Sequence, residues 1–250
     1  LAGCEAAAQS LREAASVTMV ADRESDIYLL FARKPVGLNL IVRAAQDRKL
    51  ADGGRLFGAL ADTAPLTVTS VKVAPRGPSD KGRIAKVALR AGRALIARPD
   101  TGDLDDAPEA IELTLVEASE IDAPAGKTAL LWRLLTTHPV STAAQAEQVV
   151  QLYRLRWRIE QIFRALKSDG LALDDSQLID AERMFNLAAI GLAGAIRTIQ
   201  LVDARDGSPR LATDVIDATF AVALERLSKK LEGKTARQKN PHAKHSLAFA

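Results

Sequence analysis

Two carboxylates in this sequence stand where chemistry on a phosphate is possible. The run YRLRWRIEQIFRALK, Tyr153 to Lys167, sets five cations around a single acid, Glu160. Read as one helix at about 100° per residue, Tyr153, Arg156, Glu160, Arg164 and Lys167 share an arc of roughly 80°. Leu152, Leu155, Ile159, Ile162, Phe163 and Leu166 fill the neighbouring apolar arc. Glu160 is then either the i,i+4 partner of Arg156 and Arg164, worth a few tenths of a kcal/mol, or an acid held among cations for work on a polyanion. The second acid, Asp22, lies in VADRESDIY at the carboxyl end of an expected parallel strand. Open α/β sheets place ligands there, although a helix N-cap also suits Asp in that position.

Two carboxylates with cations beside them fit one reaction well. Mg²⁺ is held by one or two carboxylates and takes its other ligands from water and substrate phosphate, and Mn²⁺ can substitute. A metal pair activates the attacking oxygen and stabilises the leaving oxygen of an in-line phosphoryl displacement. Flanking Arg and Lys would hold the phosphodiester backbone.

The same residues carry a family resemblance. Tyr153, Arg156, Glu160 and Lys167 match the Tyr-(2)-Arg-(3)-Glu-(6)-Lys signature of the IS4-family DDE transposases, four fixed positions in fifteen. VADRESDIY resembles the segment around that family's second catalytic aspartate, which puts the role on Asp22. The resemblance runs from about Ser16 to Val202 and is closest to the Tn5-type enzyme. It implies a ribonuclease H-like catalytic core, with Asp22 and Glu160 as metal ligands and Mg²⁺ as cofactor. It also implies DNA contacts from Tyr153, Arg156 and Lys167, with Arg164 as a further cation on the same stripe. Trp132, twenty-one positions before Tyr153 in WRLLT, matches a tryptophan on which a flipped-out base stacks; a core tryptophan is the other reading. Partners by resemblance are transposon-end and target DNA and a second protomer on that DNA.

The DDE site needs three acids, and only two have counterparts here. The residues ahead of Ser16 read as helix, so Glu5 and Glu13 cannot replace an aspartate borne on a strand. Leu1 opens in what looks like the middle of a helix, so the chain is read as lacking the first core strands and as inactive alone. The alternatives are a non-catalytic DNA-binding or dimerising product that inhibits a full-length transposase, and a gene remnant without a working product.

Several elements must position these groups. SVTMVAD and LNLIVRAA read as buried strands flanking the helical DIYLLFARK, the rhythm of an α/β core. LTVTSVKVA, RIAKVALRAGRALIARP and AIELTLVEASE alternate as antiparallel strands do, and TALLWRLLTT returns to the core. Helices are expected over about 143–167, 178–202 and 212–231. The resulting fold class is α/β: residues 1–45 a partial ribonuclease H-like core, 46–127 a β-rich insertion, 128–202 the rest of the core with the Glu160 helix, and 203–250 a helical, basic C-terminal region. The final GKTARQKNPHAKHSLAFA is expected to be mobile.

Composition excludes other classes. Cys4 is the lone cysteine, so no internal disulfide and no cysteine zinc site can form. Arg197 interrupts the longest apolar run, NLAAIGLAGAIRTIQ, and no secretory leader opens the chain, giving a soluble, cytoplasmic reading with no membrane partner. Net charge is only +3, yet from Arg226 onward seven Lys or Arg face one acid, Glu232. Such a local excess suggests contact with a polyanion, or an ordinary solvated surface. His138 beside Pro139 reads as a loop residue, and Asp26 and Glu24 as acids that orient Arg23 or solvate the helix start rather than bind metal.

Overall fold

In the computed structural model, residues 1–73, 82–100, 102, 104, 106–167 and 172–250 are described. The chain divides into two units, Leu1–Arg156 and Trp157–Ala250.

The first unit is mixed α/β. Helix α1 (Ala2–Ser10) leads into β1 (Val17–Ala21), helix α2 (Tyr28–Ala32) and β2 (Leu38–Arg43). Then come β3 (Thr67–Val73), β4 (Arg83–Ala97), β5 (Ala110–Ile121), β6 (Leu131–Thr136) and helix α3 (Ala143–Arg154). All six strands form one sheet in the order β1-β2-β6-β5-β4-β3. Only β1 and β2 run parallel, with Ala21 opposite Val42; the other neighbours are antiparallel. The strands of the 46–127 segment therefore continue the sheet begun by β1 and β2.

Period-2 alternation assigns each strand's two faces. Val17, Met19 and Ala21 of β1, with Leu38, Leu40 and Val42 of β2, pack into a cluster with Cys4 of α1 and with Tyr28 and Phe31 of α2. Val20, Ile41 and Leu134 face the opposite way, onto Ala146, Val149, Val150 and Tyr153 of α3. Those four helical residues recur at i, i+3, i+4 and i+7, which makes one apolar stripe. A capping box starts α3: Gln145 N–H donates to Thr142 Oγ1 (3.3 Å) and Thr142 N–H donates back to Gln145 Oε1 (3.1 Å). The long strands β4 and β5 serve both clusters. Ala85, Val87 and Leu89 of β4 join α3, and further along Ala94 and Ile96 turn to the other core.

The run from Tyr153 to Lys167 is not a single helix. Helix α3 ends at Arg154 and α4 (Trp157–Lys167) follows. At the junction Leu155 N–H donates to Leu152 O (3.0 Å) and Arg156 N–H to Tyr153 O (3.1 Å). These i→i−3 bonds tighten the last turn, so the stripe drawn on one wheel is shared between two helices.

The second unit contains α4, α5 (Ala181–Ala204) and α6 (Ala221–Leu231). Asp180 caps α5 by accepting from Arg183 N–H at 2.8 Å. By length and composition α5 is the one described helix long and apolar enough to cross a membrane, with a mean hydropathy of 1.5 over an 18-residue window. Arg158 of α4 forms an ion pair with Asp203 of α5. The same two residues line a cleft of about 370 Å³ with Ile162, Ile196 and Arg210. The C-terminal segment expected to be mobile is tied down instead. Leu211 and Ser246 form a β-bridge, Leu247 N–H donates to Arg210 O (2.8 Å), and Leu247 is buried.

Candidate functional site

Asp22 is the first residue beyond β1, and alternation sends its side chain to the α3 face with Thr18 and Val20. It begins a short 3₁₀ turn (Arg23–Ser25) and caps it, Oδ1 accepting from Arg23 N–H at 2.8 Å. The helix-cap reading of the sequence is thus realised, and it engages one oxygen only. The side chain stays 43% exposed, leaving room on a carboxylate that can accept about four hydrogen bonds.

Two groups from the end of α3 converge on it. Tyr153 Oη donates to Asp22 Oδ1 at 3.5 Å, a long bond. The Arg156 guanidinium lies 3.5 Å from Asp22 Oδ2. The Tyr153 ring is buried in the α3 cluster, so only its polar tip reaches the site. Burial pushes the Tyr153 phenol above its ordinary 10.0, and the Asp22 carboxylate adds to that rise. The phenol therefore remains a proton donor near neutral pH.

Trp132, on the same face of β6, meets Tyr153 edge-on with centroids 5.5 Å apart and planes at 65°. Half-buried, it packs against the α3 cluster and keeps part of its surface open. Asp22, Tyr153, Arg156 and Trp132 thus belong to one neighbourhood of the first unit. Glu160, Arg164 and Lys167 lie on α4 in the second unit, all three exposed. Lys167 stands 3.7 Å from Asp174 there, a residue to which the sequence pattern gave no role.

Three further residues were not foreseen. Arg43 is the last residue of β2 and Asp22 the first beyond β1, each one position past the Ala21–Val42 pair of the parallel register; the charge of Arg43 acts on the Tyr153 phenol, opposing the rise. A cation closing the neighbouring parallel strand was the available signal. Asp26, expected to orient Arg23 or solvate the helix start, is buried with Arg48 instead. Its Oδ1 accepts from Arg48 Nε (2.9 Å) and Nη2 (2.7 Å), and its Oδ2 from the N–H groups of Ala45 (2.7 Å) and Gln46 (3.1 Å). This pair fastens the turn after Asp22 to the exit of β2. His138, read as a loop residue, has Nε2 2.9 Å from Thr18 Oγ1, below the same strand end.

Asp22 offers a hard oxygen donor, partly open and backed by cations. That suits the way magnesium is held, by few protein carboxylates with water and phosphate completing the shell. Among the described residues no three His, Cys, Asp or Glu side chains are grouped to hold a metal by themselves.

A family model described as a transposase DDE domain matches residues 5–195. The match spans β1, the whole sheet, α3 and α4, and covers well over half of the sequence. The chain belongs to the transposase DDE domain family.

Proposed function

We propose that this chain is part of an insertion-sequence transposase of the IS4, Tn5-like type, with a ribonuclease H-like core, acting on transposon-end DNA. The observation that carries the reading is the partly open Asp22 carboxylate at the end of β1, with Tyr153 Oη and the Arg156 guanidinium each 3.5 Å away. In this proposal Asp22 and Glu160 hold Mg²⁺ or Mn²⁺. The metal supplies activation of the attacking water or 3′-hydroxyl and relief of charge on the leaving oxygen.

The remaining roles follow from charge and burial. Arg156 offsets the negative charge of Asp22 and of an approaching phosphodiester. Tyr153, kept protonated, donates from a fixed ring and holds the carboxylate's orientation. Lys167 and Arg164 contact DNA phosphates, and Trp132 offers its open surface for stacking by an unpaired base. The domain division proposed is a core over 1–45 and 128–202, an insertion over 46–127 that extends the sheet, and a basic C-terminal region over 203–250. The working species is a cytoplasmic homodimer on DNA.

Ahead of β1, Glu5 is borne on helix α1 and not on a strand. We therefore propose that the chain alone binds metal and DNA ends and does not complete strand transfer. Its alternative role is to inhibit a full-length enzyme as a non-catalytic partner. The deciding experiment combines Mn²⁺ titration by electron paramagnetic resonance with nicking of end-sequence DNA. Mn²⁺ binding lost in Asp22→Asn, with no nicking by the unmodified chain, is expected. Robust nicking abolished by Glu160→Ala would overturn the inactive assignment, and unchanged Mn²⁺ binding in Asp22→Asn would overturn the site.

A further inference from the structure

The C-terminal basic segment takes no part in the site described above. Residues 226–250 carry seven Lys or Arg against one Glu, a net +6, whereas the whole chain is only +3, so residues 1–225 carry −3. Six of these cations fall between Arg226 and Lys239. Arg226, Lys229 and Lys230 recur on α6 at i, i+3 and i+4 and so share a helical face. Lys234, Arg237 and Lys239 follow on the loop beyond it. All six are exposed.

That loop is held in shape. Gly233 N–H donates to Gln238 O (3.2 Å) and Gln238 N–H to Thr235 O (3.0 Å). Asn240 Nδ2 donates to Phe249 O (3.0 Å) and to Ser228 Oγ (3.4 Å) on α6. The single acid of the segment is spent on the same closure, because Glu232 Oε1 accepts from Asn240 N–H at 3.2 Å. Lys244, the seventh cation, pairs with Glu225. The other six form no ion pair among the described residues. An ordered concentration of unneutralised positive charge, on a chain negative elsewhere, directs a polyanion to one place.

We propose that α6 and the 232–240 loop form a second nucleic-acid contact, binding the phosphate backbone of duplex DNA without reading its sequence. The choice of nucleic acid rests on the reading of the chain as acting on DNA. It is supported by the loop's own chemistry: GKTARQKN supplies half of the cations and no large apolar side chain that could enter a lipid interface. Lys and Arg at this density neutralise phosphates as point charges and release counterions, while sequence reading would need side chains seated in a groove.

The test uses the full chain, a labelled duplex of arbitrary sequence and a chelator to remove divalent metal. Binding is followed by fluorescence anisotropy between about 50 and 200 mM salt, the range over which phosphate contacts weaken steeply. The triple variant Lys234→Gln, Arg237→Gln, Lys239→Gln, confined to exposed side chains, is expected to flatten the log–log salt slope by about 2.7 and to weaken binding by roughly two orders of magnitude near 0.1 M salt. Lys86→Gln, an exposed cation on β4 outside both surfaces, should leave the slope unchanged, and Mn²⁺ binding measured separately should be the same in the triple variant as in the unmodified chain, so failure of the metal site and failure of this surface are separately visible. An unaltered slope in the triple variant overturns the proposal. Charge-dependent retention on phosphatidylserine-rich vesicles with none on the duplex overturns it as well.

Discussion

The phenol oxygen of Tyr153 lies 3.5 Å from Oδ1 of Asp22, a contact made across 131 positions of sequence. It joins the carboxyl end of the first strand to the last turn of α3. Because Tyr153 is buried while the Asp22 side chain stays 43% exposed, the pair can orient a carboxylate without walling it off.

Tyr153→Phe should keep the ring packed on Trp132 and cost about 1 kcal/mol or less, the scale of one neutral hydrogen bond. Its clearer signature lies at alkaline pH. The folded chain holds this proton more tightly than the unfolded chain, so the stabilisation is complete below pH 10.0 and is lost as pH rises beyond it. Thermal melts followed upward from neutral pH should fall less steeply in Tyr153→Phe than in the unmodified chain.

Arg43 opposes the rise in the Tyr153 phenol, so Arg43→Gln should raise that pKa further. The chain has only two tyrosines, and Tyr28→Phe isolates the signal for spectrophotometric titration. The same Arg43→Gln change should weaken retention of end DNA and reduce its salt slope by about 0.9 if the guanidinium also meets a phosphate. A phenol that titrates unchanged in Arg43→Gln would remove Arg43 from the neighbourhood.

Breaking the Asp26–Arg48 pair on one side should be severe. Arg48→Ala leaves a carboxylate with no exposed side-chain surface without its cation, and loss of one partner of a buried pair costs about 3–5 kcal/mol. The double change Asp26→Leu, Arg48→Met should recover much of this in urea unfolding. It should not recover Mn²⁺ affinity, because the turn after Asp22 is no longer fastened to Ala45 and Gln46.

His138 gives a prediction of opposite sign. Burial holds its imidazole below the ordinary 6.5. The folded chain therefore takes up this proton less readily than the unfolded one, and stability is full above pH 6.5 and lost as pH falls below it. The decline in melting temperature on acidification should be shallower in His138→Gln, which can still bond to Thr18.

Much of the fold was legible because strands and helices impose their periods on side chains. SVTMVAD, LNLIVRAA and AIELTLVEASE became β1, β2 and β5 with boundaries close to those expected, and β6 occupies Leu131–Thr136 inside the expected TALLWRLLTT. The break at Leu155–Arg156 was not legible. No Gly or Pro marks it, and the apolar spacing runs through it without a pause, since the change is only from i−4 to i−3 hydrogen bonding. Arg43 was missed for a different reason: its place beside Asp22 exists only once β1 and β2 are aligned in parallel. The depth of Asp26 was hidden because a DRESD run reads as surface until a partner twenty-two positions away, Arg48, encloses it. In the candidate site, residue types and spacing marked Asp22, Tyr153 and Arg156, while the hydrogen bonds joining them required the sheet.

The two-sided burial of β4 has a consequence for where this chain can change length. Shifting Arg83–Ala97 by one residue would turn Val87 and Leu89 away from α3 and, in the same movement, Ala94 and Ile96 away from the opposite core. Such a slip would pass through β5 into β6, where Ala118 faces Trp132, and would swing that indole to the wrong side of the sheet. A single inserted codon far from Asp22 could thus silence the site without altering any residue in it.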